Sequence, residues 1–245
     1  MVKFNSTHFI LLMIATLSVV FSSCQKMVEP FSSMIEVPLE LNNTEFNKLQ
    51  VDDGLTVRIY YGAARQSASI TCNTNIISYV HYEIVGGTLI VRFKRGYVFG
   101  PGLKIEVNVY VRSLEEISAA GGSIVALYNE VNDDLGLVIS GGSSAVAPKL
   151  NVQNLKVDIS GGGIASLKGY AYNADLKCSG GSGVRDYDLT IDILNLKMSG
   201  GGYSCLTVTS VINAELSGGS ILKYKGTATL NNIKKTGGSQ ILKQD

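Results

Sequence analysis

Apolar and polar positions in the second half of the chain repeat on two scales. Residues alternate with period two over short stretches, and each whole stretch returns after about 20 residues. Aligned on the first glycine of seven small-Gly-Gly steps (Gly121, Gly141, Gly161, Gly180, Gly200, Gly218 and Gly237), the separations are 20, 20, 19, 20, 18 and 19 residues. Four places before each glycine stand Ile117, Leu137, Val157, Leu176, Leu196, Ala214 and Ile233. Two places before stand Ala119, Ile139, Ile159, Cys178, Met198, Leu216 and Lys235. Between those columns lie Ser118, Val138, Asp158, Lys177, Lys197, Glu215 and Lys234, mostly polar. Alternation of this kind predicts a strand with one buried face. Its return at constant phase predicts equivalent strands stacked in parallel. The fold class expected is all-β: a right-handed parallel β-helix of about 20 residues per coil, the hand following the usual crossover rule.

The glycines belong to this architecture. A coil that meets itself one strand spacing along the axis, about 4.8 Å, must turn sharp corners. Glycine tolerates positive φ and close backbone approach there. The residue before each pair is Ala120, Ser140, Ser160, Ser179, Ser199, Ser217 or Thr236, and stacked hydroxyls at this position are expected to satisfy backbone groups at the corner. No Gly-Lys-Ser/Thr follows to cradle a phosphate, and the 20-residue period excludes nine-residue calcium repeats. Past the corner, Ile164 and Leu167, Val184, Tyr203 and Leu206, and Ile221 and Leu222 continue a second face. Leu150 and Val152, Tyr170 and Tyr172, Leu189 and Ile191, and Val208 and Val211 mark a third short strand. Lys235 at an inward column and the ending "LKQD" read as a polar cap on the last coil.

Residues 34–118 are also strand-like but longer-spaced. "MIEVPLEL", "FNKLQV", "LTVRIYY", "SASITC", "TLIVRFK" and "LKIEVNVYVR" are the expected strands, with a helical turn in "NTNIISYV", Asn73 to Val80. They fit either wider, earlier coils or a sandwich-like lid on the end of the solenoid. Ahead of them, Lys3 and the apolar run His8 to Phe21 read as a signal peptide over residues 1–23. Phe21-Ser22-Ser23-Cys24 has the order of a lipobox, which makes Cys24 the expected lipidation site and residues 24–33 a tether. The implied location is the bacterial cell envelope, lipid-anchored at the outer membrane, on either its periplasmic or its surface face.

Removing residues 1–23 takes away one lysine and no acid, so 21 basic residues become 20 against 20 acidic. A chain without net charge lacks the electrostatic footprint of a nucleic-acid binder. One histidine remains, His81, and no HxH, CxxC or GxSxG pattern accompanies it, so neither a metal site, a cofactor nor a nucleophile elbow is expected. Cys72, Cys178 and Cys205 are expected to be free thiols, since Cys178 and Cys205 fall out of register. The outer column sets Asp158 beside Lys177 and Glu215 between Lys197 and Lys234, a ladder of surface ion pairs of small energetic worth. Two stretches break the repeat and read as recognition loops. They are Lys94 to Gly102, with Lys94, Arg95, Tyr97 and Phe99, and Gly183 to Leu189, with Arg185, Asp186, Tyr187 and Asp188.

"FNKLQVDDGLTVRIYYG", "YEIVGGTLIVRFK" and "LKIEVNVYVRSLEEISAAGGS", followed by the small-Gly-Gly coils, resemble the family described as putative auto-transporter adhesin, head GIN domain. The resemblance implies a right-handed parallel β-helix and an adhesin-like role on a lipoprotein or secreted chain. Three functions fit. The preferred one is a non-enzymatic, lipid-anchored surface that binds a glycan or protein. The others are a polysaccharide lyase or hydrolase, and a purely structural envelope component.

Overall fold

The computed structural model describes residues 25–245; residues 1–23, read above as a signal peptide, and Cys24, the expected lipidation site, lie outside the described residues. In chain order the strands are β1 (Lys26–Val28), β2 (Met34–Pro38), β3 (Lys48–Val51), β4 (Thr56–Tyr61), β5 (Ser67–Asn73), β6 (Val80–Val85), β7 (Thr88–Phe93), β8 (Tyr97–Phe99), β9 (Ile105–Val111) and β10 (Glu116–Ala119). They continue as β11 (Ile124–Tyr128), β12 (Leu135–Ile139), β13 (Ser144–Ile159), β14 (Ile164–Gly180), β15 (Gly183–Gly200), β16 (Tyr203–Leu216), β17 (Ile221–Lys225), β18 (Thr229–Lys235) and β19 (Gln240–Lys243). A 3-10 turn at Ile77–Tyr79 falls within the stretch expected to be helical.

The expected columns form. Ile117, Leu137, Val157, Leu176, Leu196, Ala214 and Ile233 stand opposite one another in parallel register. All are buried except Ile233, in the last rung. Leu49 and Leu89 extend the column beyond Ile117. This first ladder runs β7, β3, β10, β12 and then the second halves of β13, β14, β15 and β16, ending on β18. A second ladder runs β9, β4 and β11, then the first halves of β13 to β16, then β17 and β19. A short third side stacks Val152, Ala171, Ile191 and Val208. The inward residues of the three sides form one continuous apolar core. Each fully buried aliphatic side chain there contributes about 1.5–3 kcal/mol relative to exposure.

Residues 34–118 combine the two arrangements left open by the sequence, in an order that the chain does not follow. The coil β3–β4 is written first. The next strands of the solenoid, β7 and β9, pair with the far side of β3 and β4, and only then does β10–β11 stack on the near side. The end rung is closed by antiparallel strands: β6 on β7, β5 on β9, and β2 on β5. Gly86 and Gly87 both have positive φ, as a tight two-residue hairpin between β6 and β7 requires. Antiparallel strands cannot propagate a parallel coil, so this cap terminates the stack.

The corner works differently from expectation in one respect. The first glycine of every pair does have positive φ, and at Gly180 an added Cβ would lie 2.6 Å from the Gly161 carbonyl oxygen of the preceding coil. The serine that matters, however, follows the pair instead of preceding it. Ser123, Ser143, Ser182 and Ser220 are fully buried. The hydroxyls of Ser123, Ser182 and Ser220 donate back to the carbonyls of Ala120, Ser179 and Ser217 at 2.7, 2.8 and 2.9 Å. Turning inward removes these oxygens from water, so their bonds must be made inside the protein. Ser182→Ala is therefore expected to cost about 1–2 kcal/mol, read as a lower denaturant midpoint, whereas Ser140→Ala, whose hydroxyl is half-exposed, costs less than about 0.5 kcal/mol.

Bulges correct several second- and third-side assignments. Pairing between β13 and β14 shifts after Ala147, and between β14 and β15 after Ala165. Each shift moves the alternation by one residue. Gly169 and Ala171 accordingly take the inward places expected for Tyr170 and Tyr172, and Tyr172 is exposed. Ile164, Tyr203 and Ile221 lie half-exposed on the outside, and Ile212 is buried in place of Val211. Lys235 does occupy the last position of its column and is exposed there.

Candidate binding surface

The residues singled out in the sequence fall in two separate places. The rungs β4, β11, β13 and β14 stand between β9, at the capped end, and β15. Neither stretch is a free loop. Tyr97 and Phe99 belong to β8, which pairs in parallel with β1. Tyr97 packs edge-on against Tyr79 with ring centroids 4.7 Å apart, and Phe99 lies 4.3 Å from Phe93. Their rings are therefore engaged by the protein itself. Lys94 donates to the Ser78 carbonyl at 2.7 Å, and Arg95 is exposed.

Gly183 to Leu189 opens β15, in a bulge that leaves Arg185 opposite Cys205 before register resumes at Thr190. The bulge projects four consecutive side chains from a rigid strand. Asp186 and Asp188 hold Lys168, at 3.6 and 2.8 Å, and the Asp188 amide donates to Asp186 at 3.0 Å. The Tyr187 carbonyl is fixed by the Thr207 hydroxyl at 2.7 Å. Across the next two rungs the outward column reads Arg185, Cys205, Lys223. The Lys223 ammonium lies 5.4 Å from the centroid of the Tyr203 ring, and that of Lys225 lies 5.3 Å from the centroid of Tyr187. Loss of water, together with a hydrogen bond to Cys205, pushes the Tyr187 hydroxyl up to about 12. The Tyr203 hydroxyl is raised first by its hydrogen bond to Cys205. Both phenols therefore stay neutral at physiological pH and add no charge to repel an anion. Among the described residues, Arg185, Lys223 and Lys225 form no ion pair.

Two further outer surfaces come into view only in three dimensions. On the first ladder a groove of about 440 Å³ runs between two outward columns, one carrying Lys156, Asp175, Asn195 and Asn213 and the other Asp158, Lys177, Lys197 and Glu215. The amides of Asn195, Asn213 and Asn231 each donate to the preceding rung, at 2.8, 2.9 and 3.1 Å. Glu215 sits 3.2 Å from Lys234 and 3.3 Å from Lys197, whose hydrogen bonds hold its carboxyl below the usual range. The expected ladder forms in part: Glu215 joins Lys197 and Lys234, whereas among the described residues Asp158 and Lys177 form no ion pair. Asp158 and Glu215 stand three rungs apart, about 14 Å at one strand spacing per rung, too far to share a cation.

On the second ladder Tyr110, Tyr60 and Tyr128 stack face to face at 4.8 and 5.0 Å. Arg58 is bound to Glu106 beside them at 2.8 Å. Both faces of Tyr60 are covered by its neighbours, while the exposed Tyr110 and Tyr128 each spend one face on the stack. His81, 3.2 Å from Glu83, lies on the antiparallel cap. Cys178 is buried in its column, and burial pushes its thiol up to about 11, which keeps it unreactive. Cys72, Cys178 and Cys205 are all free thiols.

Stacked parallel rungs, an antiparallel cap and outward polar columns define a β-solenoid whose side chains are offered to the outside along its length. The chain belongs to the family described as putative auto-transporter adhesin, head GIN domain, whose model matches residues 45–228. It is similar to the crystal structure of a putative adhesin from Bacteroides fragilis, with 21% identity and a TM-score of 0.81, covering 89% of this chain and 100% of that one. A putative adhesin from Parabacteroides merdae matches with 19% identity and a TM-score of 0.72, covering 89% and 99%. A putative lipid binding protein from Parabacteroides distasonis matches with 16% identity and a TM-score of 0.65, covering 90% and 100%. At these identities the likeness is one of fold. No curated protein matches the chain.

Proposed function

We propose that this chain is a non-enzymatic, adhesin-like protein of the bacterial cell envelope, lipid-anchored through Cys24 at the outer membrane, that binds an acidic glycan. The surface we assign is the β15 bulge and the two rungs after it: Arg185, Tyr187, Tyr203, Lys223 and Lys225. The observation that carries the reading is the presence of three cations without carboxylate partners, two of them poised over tyrosine rings, on a strand framework that cannot collapse around them. Carboxylate or sulfate groups on a sugar would meet the cations. The phenolic hydroxyls and ring edges would meet its hydroxyls and apolar face. Family membership and the surface-exposed solenoid support the same role. Asp186 and Asp188, already tied to Lys168, position the bulge and do not contact the ligand.

A glycan array followed by titration calorimetry tests this. Uronate- or sulfate-bearing oligosaccharides are expected to bind, and neutral ones to bind at least tenfold more weakly. The double change Arg185→Ala, Lys223→Ala is expected to lower affinity by about tenfold or more with an unchanged melting curve, since both side chains lie outside the core. Equal binding by wild type and variant, or selection of a protein ligand over every glycan, would overturn the assignment. Anchoring is tested separately: labelled fatty acid is expected in the wild type and not in Cys24→Ala.

A further inference from the structure

The two most exposed large apolar side chains of the described residues are Met27, at 63%, and Phe31, at 61%. Both stand within seven places of Cys24, and Met34 and Ile35 follow at 43% and 38%. Val98, at 38%, is in register with Met27 across the β1–β8 pair. The backbone beneath them is tied down. Phe31 donates its amide to Asn75 at 2.8 Å and accepts at its carbonyl from Asn73, while Asn75 also holds the Glu29 carbonyl at 2.8 Å. A clamped main chain that still leaves a phenyl ring in water is a presented surface and not a frayed end. The main chain brings cationic residues beside it: Lys26 donates its backbone amide to the Gly96 carbonyl, next to Arg95, and the Lys104 backbone amide donates to the same Asn73 that holds Phe31. One acid, Glu29, lies between Met27 and Phe31 with its carboxylate against Gly100. Lys94 lies just before β8. Among the described residues none of these four cations forms an ion pair.

We infer that this end of the solenoid is a membrane-seating face: Met27, Phe31 and Val98 enter the headgroup boundary of an anionic bilayer, while Lys26, Lys94, Arg95 and Lys104 meet lipid phosphates. The occupant is a bilayer because the chain leaves the described structure beside this patch, at Gln25, directly after the residue proposed to carry the lipid. Apolar side chains flanked by cations are the composition of an interfacial contact, and a single acyl chain holds reversibly unless a second contact supports it. The inference rests on the anchoring reading above. Its consequence is orientation. The capped end faces the lipid, and β15, five rungs beyond β9, carries Arg185 about 24 Å away at one strand spacing per rung.

The chain contains no tryptophan, so Phe31→Trp introduces a single reporter. The full-length Phe31→Trp protein, purified from membranes, is placed on phosphatidylethanolamine–phosphatidylglycerol vesicles containing brominated lipid, with Val138→Trp on the outer column of β12 as the comparison. Indole emission from position 31 is expected to shift to shorter wavelength and fall at least threefold, and to recover in part at high salt. Position 138 is expected to stay unquenched. Quenching at 31 no greater than at 138 would overturn the seating face. Mass spectrometry of the same preparation reports the lipid on Cys24 independently. An unquenched reporter at position 31 of a lipidated protein sinks the face alone, and a quenched one on an unlipidated protein sinks the anchor alone.

Discussion

Gly169→Ala is expected to lower the stability of the folded chain by about 3 kcal/mol or more, the largest loss from any single methyl group added to the regular coils. Gly169 has a φ of +115°, which L side chains rarely adopt. A Cβ there would collide with the Leu150 carbonyl oxygen and lie 2.7 Å from its amide nitrogen and 2.9 Å from its carbonyl carbon. These atoms belong to the neighbouring rung and cannot withdraw without opening the ladder. Two other glycines separate this effect from glycine content as such. Gly122 has φ +82° with nothing within 4 Å of an added Cβ, so Gly122→Ala should cost about 1–2 kcal/mol from backbone strain alone. Gly201 has neither constraint, and Gly201→Ala should be neutral or stabilising by up to about 1 kcal/mol. Urea unfolding followed by circular dichroism ranks the three; equal losses at all three sites would contradict the corner geometry.

Leu196→Ala is expected to cost about 2–5 kcal/mol, through lost burial and the cavity left between Leu176 and Ala214. The same truncation at the last position of that column, Ile233→Ala, should cost less than about 1 kcal/mol. Ile233 is only half-buried and has neighbours on one side. In a solenoid each coil contacts only the coils beside it, so the penalty depends on place along the axis as much as on residue type. Similar losses at the two positions would mean that the rungs do not stack as described.

Much of the fold is legible in the sequence because the regular coils pair with their immediate successors. A strand that repeats every 20 residues and stacks on the previous copy writes its inward column at fixed intervals, as Ile117 to Ala214 show. Corner glycines are legible for the same reason. Bulges are not: a shift after Ala165 costs the sequence only one residue yet exchanges inside and outside for Tyr170 and Ala171. The hydroxyls followed the same logic. Ser140 and Ser143 both recur near the glycine pair, and only the direction of the turn makes the second one buried.

The candidate surface was half legible. Arg185 and Tyr187 stand out because they break the repeat, but Lys223 and Lys225 belong to ordinary coil positions and join them only across two rungs. Tyr97 and Phe99 share the same aromatic and basic composition, yet packing against Tyr79 and Phe93 absorbs their rings.

By itself the sequence determined the strand content, the coil length, the buried columns of the regular coils and the glycine corners, since each follows from local alternation and a constant period. The tertiary structure alone decided the order of the first rungs, the antiparallel cap, and the gathering of Tyr110, Tyr60 and Tyr128 into one stack. Those contacts join β4 to strands about 50 and 70 residues later in the chain, in an order the chain does not follow. A pairing made once, between distant segments, leaves no period to read; it is selected by the end rung's need to bury its open face and satisfy its unpaired backbone groups.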